Sequence, residues 1–152
     1  MMARRFSWIA LAAVLVAGSV AVRADAVPFV QGAVATIELC PQSICGVAIF
    51  TGVFAGQIES RRAVGSVGVV VKHEDLPEPG FSSNILSGAW QIQTFSRTIH
   101  GGVQGGTLYN NGNNTFDVHV TMTVAGSPKT ISFTGLLNHN QFPPTLSGQL
   151  GQ

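Results

Sequence analysis

The amino-acid sequence predicts an all-β protein, a small antiparallel barrel of about eight strands in up-and-down order. Three observations predict this fold. Apolar residues recur at every second position in successive stretches, short turn-rich connections separate these stretches, and small residues alternate with large ones as in a barrel interior. A two-sheet β-sandwich is the alternative. An outer-membrane barrel fits less well, because Tyr109 is the only tyrosine and the sequence has no terminal aromatic residue.

Residues 1–24 predict a secretory signal peptide. A pair of arginines supplies the charged start, and the apolar segment Trp8–Gly18 is too short to span a membrane. Small residues permit cleavage after Ala24, with an alternative site after Ala26. Residues 25–152 then form a single β domain. We expect this domain to be exported to the periplasm or the extracellular space and not to be embedded in a membrane.

The charge of the exported domain argues against one class of partner. The signal peptide contains three of the eight basic residues, which leaves five against seven acidic residues, a formal net charge of −2. Such a balance, without a basic patch, predicts no binding to nucleic acid. The low charge also favours self-association, so a homo-oligomer is an open expectation.

Cys40 and Cys45 are the only cysteines, and they predict a local disulfide. Export places them in an oxidising compartment, where an even pair usually bonds. The spacing differs from a Cys-x-x-Cys redox motif, and a zinc site needs more ligands nearby. Because the closed loop is short, we expect a stabilisation of about 1–2 kcal/mol.

The segment Ile99–Val124 predicts a long β-hairpin closed by Asn111-Gly112, a dipeptide typical of type I′ turns. After the turn, apolar residues alternate with polar ones over ten positions, which indicates a strand buried on one face. A two-residue loop would place Thr107 opposite Phe116 and keep both inward sets apolar or small.

The remaining strands follow from the same alternation, and two irregularities are expected between them. The segment Asp75–Ser87 predicts a long loop, because two prolines and a glycine exclude a central strand. The inward parity changes across Phe95–Arg97, which predicts a bend or β-bulge. The strand Gly46–Ile58 is apolar on both faces, so we expect its outer face to be covered or to form a subunit contact. The other strands are expected at Phe29–Glu38, Ala63–His73, Gly88–Thr94, Thr130–Leu137 and around Leu146, Gly148 and Leu150.

Four histidines are the first candidates for chemistry. The two-residue loop would separate His100 from His119 by four strand positions, roughly 13 Å at about 3.3 Å per residue, too far to share a metal ion. Asp117 and His119 lie on one face, but two ligands do not complete a zinc site. His73 begins a short acidic segment, and His139 lies in a loop whose backbone groups it would satisfy.

The sequence contains no Gly-x-Ser-x-Gly motif and, once the disulfide forms, no free cysteine. We therefore assign no catalytic residue, metal or cofactor. The polar residues that merit attention are His73, Asp117 and His119.

These observations favour a non-catalytic binding module for a small, partly apolar ligand held inside the barrel, since an eight-stranded barrel is either filled or holds one small ligand. Two alternatives remain, a self-associating structural or surface protein and a barrel enzyme, an isomerase or hydrolase that uses one of the three polar candidates. The side chains expected to line the ligand cavity are Phe50, Phe54, Trp90, Phe116 and Phe133.

Overall fold

The computed structural model of the protein describes residues 30–151, so the predicted signal peptide lies outside the described residues. Within this range the chain forms eight β-strands and one short helix. Their bounds are β1 Val30–Cys40, α1 Gln42–Cys45, β2 Ala48–Ile58, β3 Arg61–His73, β4 Ser82–Thr94, β5 Thr98–Asn110, β6 Thr115–Thr123, β7 Thr130–Asn138 and β8 Thr145–Gly151.

The eight strands form a closed barrel in which each strand is antiparallel to its neighbours in sequence and β1 pairs with β8. Closure pairs both edges of every described strand, which removes the open edges that a sandwich would keep. The prediction of an up-and-down barrel is confirmed. No helix within residues 30–151 is long and apolar enough to cross a membrane.

The inward faces of the strands are those that the alternation predicts, except in the second half of β5, and two aromatic rings shape the wall. The Phe54 ring lies against Gly56, and the Phe133 ring lies against Gly135 and Gly148. A Cβ atom would come within 2.9 Å of Phe54 Cζ at Gly56, and within 2.5 and 2.7 Å of Phe133 Cζ at Gly135 and Gly148. Glycine at these positions therefore lets large side chains lie flat on a strongly curved sheet.

The predicted register of the β5–β6 hairpin is wrong. Thr107 lies opposite His119 instead of Phe116, and Asn110 takes the place opposite Phe116. The connecting loop has four residues, 111–114, rather than two.

Asparagine side chains explain the longer loop. Asn110 Oδ1 accepts a hydrogen bond from the Gly112 backbone N–H at 2.8 Å, and Asn113 Oδ1 accepts one from the Thr115 N–H at 3.2 Å. Gly112 and Asn114 adopt left-handed φ values of 80° and 59°, which these residue types tolerate.

A register shift within β5 adds a second difference from the predicted hairpin. It lies between Val103 and Gly105 and leaves one extra residue on β5, a β-bulge that reverses the inward parity of the strand. Leu108 is therefore buried, and Thr107 is exposed on the outer face.

The predicted loop Asp75–Ser87 is shorter than expected. Only residues 74–81 connect β3 with β4, and Ser82–Ser87 belongs to β4. The prolines and the glycine all precede residue 82, so the second half of the segment is free to pair. Ser83 and Ile85 there are buried in the barrel.

The irregularity predicted at Phe95–Arg97 is a turn between β4 and β5 rather than a bulge within a strand. The Thr94 backbone N–H donates to the Arg97 carbonyl at 2.9 Å. Arg97 also forms a 2.7 Å ion pair with Glu59 in the β2–β3 turn. The hydrogen bond from Arg97 lowers the pKa of Glu59, and the same bond raises the pKa of Arg97.

Within residues 30–151 no element covers the outer face of β2, so the first of the two alternatives expected for this face is not met there. Val53 is 57% exposed there, and Val64 on the neighbouring β3 is 72% exposed. Self-association through this face remains a prediction.

Candidate functional site

The barrel interior is filled at one end and hollow at the other. The filled end lies beside the β2–β3, β4–β5 and β6–β7 turns, where apolar side chains meet across the axis. These side chains are buried and lie outside the lining of the cavity described next; they are Val30, Phe54, Ile58, Ile92, Ile99, Val124 and Ile131.

The other end contains an open cavity of about 690 Å³. This size falls within the ~300–1,000 Å³ typical of pockets that hold small organic molecules. Aliphatic and aromatic side chains from all eight strands line its deeper part, among them Val34, Phe50, Val67, Val69, Trp90, Val103, Val120, Met122, Phe133 and Leu150.

Three connecting segments, residues 41–47, 74–81 and 139–144, supply lining residues at the mouth of the cavity, and the 111–114 loop is bonded to one of them. The clearest link joins two of these loops through Asn140, whose Nδ2 donates to the Asn113 carbonyl at 2.8 Å. Asn110 Nδ2 donates to the Pro77 carbonyl at 2.7 Å. Because these bonds connect the loops with one another and with the end of β5, the mouth is preformed.

A carboxylate and an imidazole meet at this mouth. Glu38 Oε2 lies 3.3 Å from His139 Nε2, and the side chains are 3% and 24% exposed. The two atoms are not aligned for a hydrogen bond, and each is buried without another partner. The imidazole also packs on Phe116, with ring centroids 5.3 Å apart.

Glu38 faces the interior because of its place in β1. The buried positions of this strand alternate, so Val34, Thr36 and Glu38 all point inward. The Thr36 hydroxyl is hydrogen-bonded, because its Oγ1 donates to the Leu146 carbonyl at 3.0 Å. The Glu38 backbone N–H donates to the Pro144 carbonyl at 2.8 Å, which holds the β7–β8 loop, and with it His139, close to β1.

The disulfide positions a third polar side chain at the mouth. Cys40 and Cys45 are bonded, as predicted, with Cα atoms 6.0 Å apart, and they close the turn that contains α1. Gln42 on this helix donates from Nε2 to the His73 carbonyl, while its Oε1 is buried without a hydrogen-bond partner. Gln42 therefore bridges from the disulfide loop to β3.

His73 is buried at the end of β3 and lines the cavity. Its Nδ1 lies within hydrogen-bond distance of the Glu74 carbonyl oxygen. Since a carbonyl only accepts, this nitrogen acts as the donor. His73 is the one polar candidate from the sequence that reaches the cavity.

Glu74 anchors the β3–β4 loop beside His73. Its Oε2 accepts hydrogen bonds from the backbone N–H and the side-chain amide of Asn84, both at 2.9 Å. These bonds, with the backbone N–H contributing most, lower the pKa of Glu74 below its usual value.

The five predicted lining residues divide into two groups. Phe50, Trp90 and Phe133 line the cavity. Phe54 belongs to the filled end, and Phe116 supports His139, so both are buried without lining the cavity.

Asp117 and His119 share the outer face of β6 and do not reach the cavity. Each has a separate partner, because Asp117 Oδ1 accepts from Asn111 Nδ2 at 3.1 Å and His119 Nδ1 lies 3.3 Å from Thr134 Oγ1. Within residues 30–151 no group of three or more His, Cys, Asp and Glu side chains is placed to hold a metal ion.

Sequence reasoning missed Glu38 and assigned His139 only a role in its loop. The alternation of β1 could have identified Glu38, because this residue lies two positions after Thr36 on the inward face of the strand. A carboxylate at a buried position is rare and often indicates a functional role. The pairing with His139 had no local signal, since it depends on closure of the barrel between β1 and β8.

Fold and site together define an eight-stranded, up-and-down β-barrel with an apolar cavity and polar groups at its mouth. No protein-family model, curated protein or solved structure matches this chain. Its function is therefore inferred from the cavity.

Proposed function

We propose that the protein is a non-catalytic binding module that holds one small, mainly apolar molecule in the barrel cavity. The observation that carries this proposal is the open cavity of about 690 Å³, lined in depth by apolar side chains. Burial of apolar ligand surface against such a lining is favourable at about 25 cal/mol per Å².

Two features of the barrel support a binding role. The filled end closes the barrel below the ligand, and cross-linked loops keep the mouth preformed, so little ordering is required on binding. Polar groups are few and are concentrated at the mouth, the arrangement that orients a ligand with an apolar body and a polar end.

A neutral fluorescent probe, N-phenyl-1-naphthylamine, tests the proposal on the purified protein. We expect enhanced probe emission that saturates at one probe per chain. A Val69→Trp substitution should weaken binding about 5–10-fold, or roughly 1 kcal/mol, because the indole occupies cavity volume opposite Trp90.

The matched control is Val70→Trp. Val70 is the next residue of β3 but points outward and is 41% exposed, so its substitution should leave probe affinity unchanged. An equal loss of probe affinity in both variants would contradict the proposal, and so would the absence of saturable probe binding to the unmodified protein.

Native mass spectrometry of the freshly purified protein provides an independent check. A co-purified small molecule of unchanged mass after incubation supports a binding module. A bound molecule that is chemically converted would instead favour a barrel enzyme, for which His73, the one predicted polar candidate that lines the cavity, and the Glu38–His139 pair would be the acid–base groups.

A further inference from the structure

We propose that the cavity selects amphipathic ligands whose polar end donates hydrogen bonds and carries no negative charge, that is, an alcohol or an amine. This inference rests on the proposed function and adds the chemical class of the ligand. Its basis is the set of hydrogen-bond acceptors at the mouth.

The first acceptor is the Glu38 carboxylate. Its side chain is 3% exposed and lines the cavity, and its Oε2 has no hydrogen-bond partner. A buried carboxylate oxygen without a donor lowers stability, and native structures rarely keep one without a functional reason. A donor on the ligand would satisfy this atom.

The second acceptor is Gln42 Oε1. The two ends of the amide are distinguished by their contacts, because the His73 carbonyl accepts from Nε2. Oε1 is thereby left buried without a partner, at a residue that lines the same cavity. Glu38 and Gln42 thus present two unsatisfied acceptors on adjacent elements, β1 and α1.

The charges at the mouth disfavour an anionic ligand. Among the described residues, Glu38 and Asp75 line the cavity, whereas no lysine or arginine does. The two histidines lie beside acceptors of the protein itself: His139 Nε2 is 3.3 Å from Glu38 Oε2, and His73 Nδ1 faces the carbonyl of Glu74. A ligand carboxylate would therefore meet a buried acidic group without a dedicated cation, which selects against it.

The deeper cavity accommodates the apolar tail of the same ligand. Trp90 lines this part, and its Nε1 already donates to the Thr123 carbonyl at 2.9 Å. The indole therefore has no free donor for the ligand and contributes apolar ring surface. Val120 and Phe133 add further apolar surface. The polar end of a bound molecule is thus directed to the mouth, where Glu38 lies.

Displacement of N-phenyl-1-naphthylamine by probes with one common tail tests the inference. Decylamine, 1-decanol and decanoate are compared at pH 7, each below its micelle-forming concentration. We expect decylamine and 1-decanol to displace the fluorophore at concentrations about tenfold lower than decanoate, the ratio that one charge-assisted hydrogen bond provides. A preference for decylamine over 1-decanol would identify a cationic head group, and equal displacement a neutral donor; both results support the inference.

Two variants locate the selectivity. Glu38→Gln keeps the size of the side chain and should reduce the decylamine-to-decanoate preference to about threefold or less. Glu78→Gln makes the same change at an exposed residue of the β3–β4 loop that does not line the cavity, and should leave the preference unchanged. Probe binding by both variants verifies that the cavity is intact.

The outcomes separate the inference from the proposed function. If the fluorophore does not bind the unmodified protein, the proposed function fails. If it binds but decanoate displaces it as well as the other probes do, the inference is overturned and the binding function stands. A preference that Glu38→Gln leaves unchanged also overturns the inference.

Discussion

The Glu38 carboxylate and the His139 imidazole approach to 3.3 Å at the mouth of the cavity without forming an aligned hydrogen bond. The two residues come from β1 and from the β7–β8 loop, so their approach is a product of barrel closure. A buried, unsatisfied pair of this kind lowers the stability of the free protein. Ligand-binding sites often retain groups that lower the stability of the free protein because those groups bind the ligand.

Replacement of Glu38 by glutamine should therefore stabilise the free protein. We expect Glu38→Gln to raise the free energy of unfolding by about 0.5–2 kcal/mol, because the amide carries no charge and can donate to His139. Urea denaturation followed by circular dichroism measures the change.

Thr36→Val is the matched comparison, since Thr36 occupies the preceding inward position of β1. Its hydroxyl is satisfied by the Leu146 carbonyl at 3.0 Å. Loss of this bond should lower the free energy of unfolding by about 0.5–1.5 kcal/mol. If Glu38→Gln destabilises the protein as Thr36→Val does, Glu38 is a structural residue.

The Cys40–Cys45 disulfide should contribute modestly to stability. A Cys40→Ala/Cys45→Ala double variant should lose about 1–2 kcal/mol of unfolding free energy and retain the barrel, because the bond closes only a short loop. Urea denaturation of the unmodified protein with and without reductant should reproduce the difference. Equal stability in all forms would show that the bond does not constrain the unfolded chain.

Glu74 makes the β3–β4 loop sensitive to acid. Its pKa is lowered from 4.5 chiefly by the Asn84 backbone N–H. The stabilisation from a carboxylate of lowered pKa is fully present above the unfolded value and is lost as the pH falls through the folded value. We therefore expect the Asn84 amide resonance to titrate with a midpoint below pH 4.5.

The Glu74→Gln variant should abolish this titration of the Asn84 amide. Glu78→Gln changes another acidic residue of the same loop and serves as the control, with the Asn84 titration preserved. A midpoint at or above pH 4.5 would contradict a lowered pKa of Glu74. A titration of the Asn84 amide that survives in Glu74→Gln would show that its hydrogen bond to Glu74 is not the cause of that titration.

Features of the fold that depend on residues close in sequence are predicted better than features that depend on distant residues. Alternation identifies the inward face of β2 or β6 correctly, because burial on one side of a strand imposes a period of two on neighbouring residues. Cys40 and Cys45 are close in sequence and pair as predicted.

The register of β5 with β6 is also local, yet the prediction from Asn111-Gly112 fails. The turn preference of this dipeptide competes with the side chains of Asn110 and Asn113, which bond to the loop backbone and widen it. The bulge before Gly105 then restores an inward position to Leu108. The parity changes at a point where Gly105 and Gly106 interrupt the apolar alternation, so the alternation does not reveal the bulge.

The candidate site is the least predictable part. Whether the interior is hollow depends on how side chains from all eight strands fill a shared volume, and no single strand specifies this. His139 reaches Glu38 only because the β7–β8 loop bonds to β1 and to Asn114 across the mouth. Of the three polar candidates, His73 lines the cavity because it is the last inward residue of β3, whereas Asp117 and His119 are outward by the parity of β6.

Close strand approach at particular glycines is the last feature that can be tested. A Cβ atom at Gly52 would collide with the Ala35 carbonyl oxygen and lie 2.6 Å from Thr36 Cα, whereas one at Gly68 would lie 3.8 Å from its nearest neighbour, Gln91 Cγ. Gly52→Ala should therefore lower the free energy of unfolding by about 2 kcal/mol or more, because the backbone of β1 must move.

Gly68→Ala should instead be neutral or raise the free energy of unfolding by about 0.4–1 kcal/mol, since alanine restricts the unfolded chain and meets no clash. The two residues lie on paired strands, Gly52 opposite Val67 on the inward face and Gly68 opposite Thr51 on the outward face. Urea denaturation of both variants measures the contrast. Similar stabilities would mean that the β1–β2 spacing relaxes easily and that glycine at position 52 does not set the curvature of the barrel wall.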